Sequence, residues 1–213
     1  EIPFIIIGQQ MLKGVDSFTL MAIPFFVIAG CLMQSGGISR RIVDFAKKLV
    51  GWMPGGLAVV DVVASMIFAA MTGAGAATTA AVGGIMIPSM EEEGYDPGFA
   101  SAVQTVGGVF GPIIPPSIPF VTYGVLTGCS VSTLFMAGFL PGILMAVCLC
   151  GAVVYVSKKK GYRDTYKASG REIWTSFKRA LLAILMPVIV LGGIYAGFFT
   201  PTEAAVVARS EER

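Results

Sequence analysis

Oxygen donors and helix breakers gather in one stretch of this chain, from Thr72 to Gly124. Thr72, Gly73, Gly75, Thr78 and Thr79 sit in a Gly/Ala/Thr cluster between two apolar arms. Downstream, Pro112, Pro115, Pro116 and Pro119 interrupt an apolar run of membrane length. Proline has no N–H to bond the carbonyl four residues back. The carbonyls of Gly108, Gly111, Pro112 and Pro115 are therefore expected to lose their helical partners. Non-helical backbone at membrane depth persists only where protein buries it or where it lines a cavity. Unwound carbonyls and hydroxyls suit a small hard cation such as sodium, and half-helix N-termini suit an anion. The pattern predicts an ion and substrate site made of main chain around Thr72–Gly75 and Gly111–Ser117, with the hydroxyls of Thr72, Thr78, Thr79 and Ser117 added. No Lys or Arg occurs in residues 54–157. An anion held there depends on helix dipoles, hydroxyls and co-bound cations.

The same residues have plainer uses. Small residues let transmembrane helices pack closely, and prolines kink them, although one proline suffices for a kink. Asp61 is the lone acid of the first arm and a functional candidate because it lies within an apolar segment, yet it stands close enough to Gly56 to reach the interface. Tyr123 could line a substrate path or simply pack. Glu203 could do no more than cap a helix, and Glu91–Glu93 could be a solvated turn.

The elements that must position these groups are helices. Of 213 residues, 55% are hydrophobic and 13% charged, where soluble domains carry roughly 25% charged residues. Residues 62–90 and 98–156 hold no Asp, Glu, Lys or Arg. The fold class is an all-α polytopic membrane protein, since lipid leaves few other ways to satisfy a crossing backbone. The net charge is +2, with neither histidine nor metal-ligand spacing among Cys31, Cys129, Cys148 and Cys150, so packing is their expected role. The chain opens on Glu1 inside an apolar run, which reads as a piece of a longer protein.

Along the chain, 1–12 is an apolar fragment and Ser17–Gly36 a span with Pro24 as a kink. Ser39 is the expected N-cap of an amphipathic helix. Ile42, Ala46, Leu49 and Met53 lie on one side of it, Arg40, Asp44, Lys47 and Lys48 on the other, and Trp52 is an interface anchor. It lies along the bilayer, struts between bundles, or is a cytoplasmic loop helix with no special job. Gly56–Met71 and Ala74–Met90 are each short of the roughly 20 residues of a full crossing, predicting a re-entrant hairpin. Asp96 with Pro97 opens a helix to about Gly111, which breaks and resumes from Ser117 to about Thr127. Leu134–Val156 is a span capped by Ser132 or Thr133. Residues 157–180 are basic, with a Ser169–Glu172 capping box opening a second amphipathic helix bearing Ile173, Trp174 and Phe177. Leu181–Phe199 is the last span. Thr200-Pro-Thr-Glu203 is a further capping box, after which an apolar helix starts and meets Arg209–Arg213. Charge bias places 39–53 and 157–180 in the cytoplasm.

Several stretches resemble the large membrane subunit, the DctM-like permease, of tripartite ATP-independent periplasmic (TRAP) transporters. They are VVASMIFAAMTGAGAA (62–77), GIMIPSMEEEGYDPGFA (84–100), GPIIPPSIPFVTYGVLTG (111–128), FMAGFLPG (135–142), SKKKGY (157–162) and GGIYAGFFTPTEAA (192–205). The resemblance implies an elevator-type fold of the ion-transporter superfamily, with inverted repeats that each bear a re-entrant hairpin and a proline-broken transmembrane helix. It implies a multi-pass protein of the bacterial inner membrane that moves organic anions inward with sodium, typically C4-dicarboxylates, sialic acid or related carboxylates. It also implies two partners, a periplasmic substrate-binding protein and a small DctQ-like membrane subunit. No cofactor is expected beyond sodium as coupling ion, and no nucleic acid. By position the chain corresponds to the first repeat. On this reading 1–55 is scaffold with its arm helix, 56–128 the transport domain, 129–199 further spans with the basic segment, and 200–213 the start of a truncated second repeat. The family's tip often carries serine on both sides of its glycine, whereas this tip is Thr72-Gly73-Ala74, one side-chain oxygen fewer. The rival from another class is a non-transporting membrane scaffold whose Gly and Pro serve packing. An enzyme ranks third, because no activated serine, histidine or paired membrane aspartates occur.

Overall fold

In a computed structural model, residues 36–162, 169–198 and 200 are described, with isolated positions between 5 and 31 and at 203. The expected fragment 1–12, the span Ser17–Gly36 and most of 200–213 lie outside the described residues. The elements are α1 (Ile38–Val50), α2 (Gly56–Thr72), α3 (Gly75–Glu92), α4 (Pro97–Gly108), α5 (Phe110–Ile113), α6 (Ile118–Thr127), α7 (Val131–Lys160) and α8 (Gly170–Tyr195). Among the described residues two segments are long and apolar enough to cross a membrane, Pro97–Thr127 and Val131–Lys160.

Local chemistry explains most of the boundaries. Asp96 caps α4 by accepting from Phe99 N–H at 2.8 Å, with Pro97 in the first turn. The hairpin arms end within two residues of the expected positions. The Ser169–Glu172 capping box forms at α8. Thr200 N–H and Oγ both donate to Glu203 Oε2, at 2.8 and 2.9 Å. Those two bonds, the backbone one first, hold the Glu203 carboxyl below its usual range.

Four expectations are corrected. Ser39 is not the cap of α1. Gly37, at a φ of 72°, takes that place, and Ser39 turns inward, where its Oγ finds no partner. The buried flank of α1 is Ile42, Val43, Phe45 and Ala46, and Leu49 is exposed. The reason is tertiary: α1 packs between α2 and α8, and Phe45 meets the Phe177 ring at 5.7 Å. Second, α7 begins at Val131 after Ser130, and Ser132 bonds the Ser130 hydroxyl instead of capping. Third, the basic amphipathic segment and the last span are one helix, α8, because no breaker separates Trp174 from Leu181. Fourth, α8 stops at Tyr195, short of Phe199. Gly197 takes a φ of 74° there, and Phe198 N–H reaches Gly193 O at 2.9 Å, as helix ends commonly close.

One end of the molecule collects the start of α2, the α3–α4 turn and the close of α7. Gly55 abuts the Ser157 hydroxyl. Tyr95 stacks on Tyr162 at 4.3 Å, and Asp96 N–H donates to Tyr162 Oη at 3.1 Å. Lys158, Lys159 and Lys160 sit in the last turn of α7, where the helix dipole favours cations. From this end α2 climbs about 25 Å to its tip, and α6 continues about 15 Å past the break. One flank of α7 is buried along Phe135, Gly138, Gly142, Ala146 and Val153. Its other flank leaves Met136, Leu140, Leu144 and Val147 more than 60% exposed. A contiguous apolar stripe of this kind marks a surface made for lipid or protein, not water.

Removing the α4 cap tests how far this boundary is local. Asp96→Ala is expected to cost about 1 kcal/mol, read as a lower midpoint in chemical unfolding. Protease sensitivity should rise at the α3–α4 turn.

Candidate functional site

The hairpin tip and the break in the proline-rich helix meet. α2 ends at Thr72, and Gly73 turns the chain at a φ of 61°, a left-handed conformation that glycine adopts without cost. The carbonyl of Gly73 accepts from Ile118 N–H at 3.3 Å across the junction. A methyl group on Gly73 would fall 2.5 Å from Pro116 O, and one on Gly111 would fall 2.5 Å from Gly75 N. Gly75 faces Gly108 O and the Pro112 ring, while Thr79 Oγ1 fills the space above Gly108. Glycine is therefore required at Gly75, Gly108 and Gly111 for close contact, and at Gly73 both for contact and for its left-handed turn.

The break itself is Ile114–Ser117, with a cis peptide between Pro115 and Pro116. Ser117 reorganises it. Its Oγ donates to Pro112 O at 2.6 Å and accepts from Phe120 N–H at 3.4 Å, starting α6. The Pro112 carbonyl is thus not unpaired, contrary to the sequence expectation. Among the described residues, no loop or side-chain donor reaches the carbonyls of Gly108, Gly111 or Pro115. On the tip side, Thr72 Oγ1 lies 3.2 Å from Thr78 Oγ1 and donates to Phe68 O, and Thr78 Oγ1 donates to Ala74 O at 3.0 Å. Thr72, Thr78 and Ser117 are each at most 1% exposed.

Helix ends of both signs converge here: the C-termini of α2 and α5 and the N-termini of α3 and α6. Each carries up to about half a charge, negative at a C-terminus and positive at an N-terminus. Such a junction can present carbonyls to a cation and N–H groups to an anion within a few ångströms, with no ionised side chain. α7 presses on the break from behind. A methyl on Gly142 would fall 2.8 Å from Ile114 Cγ1, and one on Gly138 would meet the Phe120 ring and Ile113 O.

Two candidates stand elsewhere. Asp61 lies about 16 Å down α2 from the tip; it is 1% exposed and neither carboxylate oxygen has a partner. Tyr123 is 54% exposed on α6, beyond the break. The main chain of Ala74 lies within the expected Thr72–Gly75 stretch, and its carbonyl receives the Thr78 hydroxyl; sequence reasoning did not anticipate that bond. It also overlooked Gln104, fully buried with its Oε1 3.5 Å from Ser65 Oγ. The signal was available: an amide inside the uncharged stretch 98–156.

The family description "Tripartite ATP-independent periplasmic transporter, DctM component" matches residues 1–210. The chain is 46% identical over 201 residues to the sialic acid TRAP transporter large permease protein SiaM of Vibrio cholerae, covering 94% of this chain and 47% of that protein. It is 46% identical over 203 residues to the 2,3-diketo-L-gulonate TRAP transporter large permease protein YiaN of Escherichia coli, covering 95% and 48%. It is 38% identical over 222 residues to the C4-dicarboxylate TRAP transporter large permease protein DctM of Rhodobacter capsulatus, covering 98% and 50%. The chain thus spans about half the length of these curated relatives.

The contact between tip and break predicts a sharp contrast between two glycine substitutions. Gly111→Ala should destabilise by about 1–3 kcal/mol, the usual cost of overpacking. Gly84→Ala, with nothing within 4 Å of the added carbon, should be neutral or stabilising by up to about 1 kcal/mol. Unfolding midpoints of the two variants in detergent check both.

Proposed function

The chain belongs to the DctM component family of tripartite ATP-independent periplasmic transporters, and we propose that it forms part of a polytopic permease for sodium-coupled uptake of organic carboxylates. The observation that carries this reading is the junction of the hairpin tip with the broken helix. It joins helix termini of both signs, three buried hydroxyls and close-packed main chain in a region without cationic side chains. Sodium takes the C-terminal carbonyls around Thr72–Gly75 and Gly111–Ser117. The carboxylate faces the N-termini of α3 and α6 together with the bound cation. Thr72, Thr78, Thr79 and Ser117 contribute hydroxyls.

The membrane arrangement follows the same reasoning. The hairpin enters and leaves at the end that carries Lys158–Lys160, which the charge bias of spanning proteins assigns to the cytoplasm. Its tip stops at the break with α6 still to come, which supports a re-entrant loop over two crossings. The apolar stripe of α7 faces lipid or the small membrane subunit. Cargo arrives from a periplasmic substrate-binding protein at the bacterial inner membrane, and the hairpin and broken helix move it in elevator fashion. The named cargoes of the relatives, sialic acid, 2,3-diketo-L-gulonate and C4-dicarboxylates, bound the substrate class for this chain.

The test uses the full-length parent protein with its partners in proteoliposomes. Ser117→Ala removes the hydroxyl that spans the break. The sodium concentration for half-maximal uptake should rise about three- to tenfold, the worth of one hydrogen bond. Thr72→Ala should act in the same direction. Uptake indifferent to both substitutions and to the sodium gradient would overturn the sodium site at this junction and leave its Gly and Pro to packing alone.

A further inference from the structure

Away from the junction, a half-open pocket of about 440 Å³ lies between α1 and α8, lined by Arg41, Asp44, Lys48, Ser176 and Arg179. A volume of that size suits a small ligand. Arg41, Asp44 and Lys48 recur at i, i+3 and i+7, one face of α1. Ser176 and Arg179 face them from α8, one turn apart. The packing that holds the helices lies on another flank, where Ile42 and Ala46 are fully buried and Phe45 meets Phe177 at 5.7 Å. The cations are not needed to close this contact. Among the described residues none of the three forms an ion pair with Asp44. Three cations around one carboxylate leave the space strongly positive, and two of them carry the guanidinium fork that matches phosphate oxygens.

Two indoles give the depth. Trp52 is 64% exposed just after α1, with Nε1–H donating to Leu49 O at 3.1 Å. Trp174 is 59% exposed on α8 and stacks on Phe177 at 5.8 Å. Exposed tryptophans of spanning proteins sit at the headgroup level, and basic pockets beside spanning helices on the cytoplasmic side take anionic headgroups. We propose that the cavity between α1 and α8 binds the phosphate ester of an anionic phospholipid, with Arg41, Lys48 and Arg179 on its oxygens. The lipid would fasten the amphipathic helix to the cytoplasmic leaflet. The inference rests on the membrane orientation proposed above, not on the identity of the cargo.

The experiment takes the full-length protein in detergent and titrates phosphatidylglycerol, phosphatidylcholine or glycerol phosphate, following bound ligand by native mass spectrometry and the unfolding temperature. Phosphatidylglycerol is expected to bind and stabilise, and phosphatidylcholine to do neither. R41Q/R179Q should weaken phosphatidylglycerol about 25-fold, about fivefold per cation removed. K158Q/K159Q, which removes the same charge outside the cavity, should change it by less than about twofold. If R41Q/R179Q does not fold, R41K/R179K keeps the charge and loses the fork, and a severalfold weakening at unchanged melting temperature supports the site. Phosphatidylglycerol binding equal in the cavity variants and the parent overturns the proposal. So does glycerol phosphate binding as tightly as the lipid with the same cation dependence, which assigns the cavity to a soluble phosphate. Sodium-driven uptake by the parent protein, measured in parallel, tests the permease reading separately from this site.

Discussion

Two main chains can touch only where no side chain stands between them, and this fold depends on one such contact. Gly73, Gly75, Gly108 and Gly111 clear the space between the hairpin tip and the break, so that Gly73 O and Ile118 N–H can bond directly. The prolines supply the other half of the constraint. They end one helix and allow another to begin, which leaves main-chain groups facing the tip instead of closing on themselves. Neither half is sufficient alone: a continuous helix would present side chains to the tip, and a bulkier tip could not reach the break.

Everything behind the junction is arranged to hold it. α7 supports the break through Gly138 and Gly142, one turn apart, which bring its backbone within reach of Ile113 and Ile114. Gly30, itself buried, contributes a further small surface against the Thr72 side chain. Below, the first arm is packed on α1 and on α7, with Val60, Val62, Ala64 and Phe68 all at 0% exposure. A buried apolar shaft of this kind fixes the height of the tip, and with it the distance to Ser117.

How much of this could be read from the sequence divides along physical lines. Asp96 with Pro97, the Gly73 turn and the capping boxes at Ser169 and Thr200 are local devices, and each lies where its residues imply. The family assignment was equally legible, because the GPIIPPS run and the collinear stretches around it carry it. Ser39 misled because a glycine turn two residues earlier competes for the same helix start, and only packing decides which wins. The orientation of α1 was half legible. Ile42 and Ala46 face inward as their spacing implies, but Phe45 joins them and Leu49 does not, since α8 covers a flank that the sequence of α1 cannot specify. The union of the basic segment with the last span was hidden for the opposite reason. Composition changes there while helix propensity does not, and charge alone ends no helix. The Pro112 carbonyl was expected to be unpaired on local grounds. Its partner, the Ser117 hydroxyl, becomes available only once the chain has folded back at the break.

The clasp at the foot of α7 has a mechanical corollary. α4–α6 and α7 run antiparallel and are joined twice. At one end a single tyrosine, Tyr162, stacks on Tyr95 and accepts from Asp96 N–H. At the other, the connection between Thr127 and Val131 is too short to pay out slack, and Val131 packs against Gly124. Pinned at both ends, the broken helix and α7 resist sliding past each other and form one packed block.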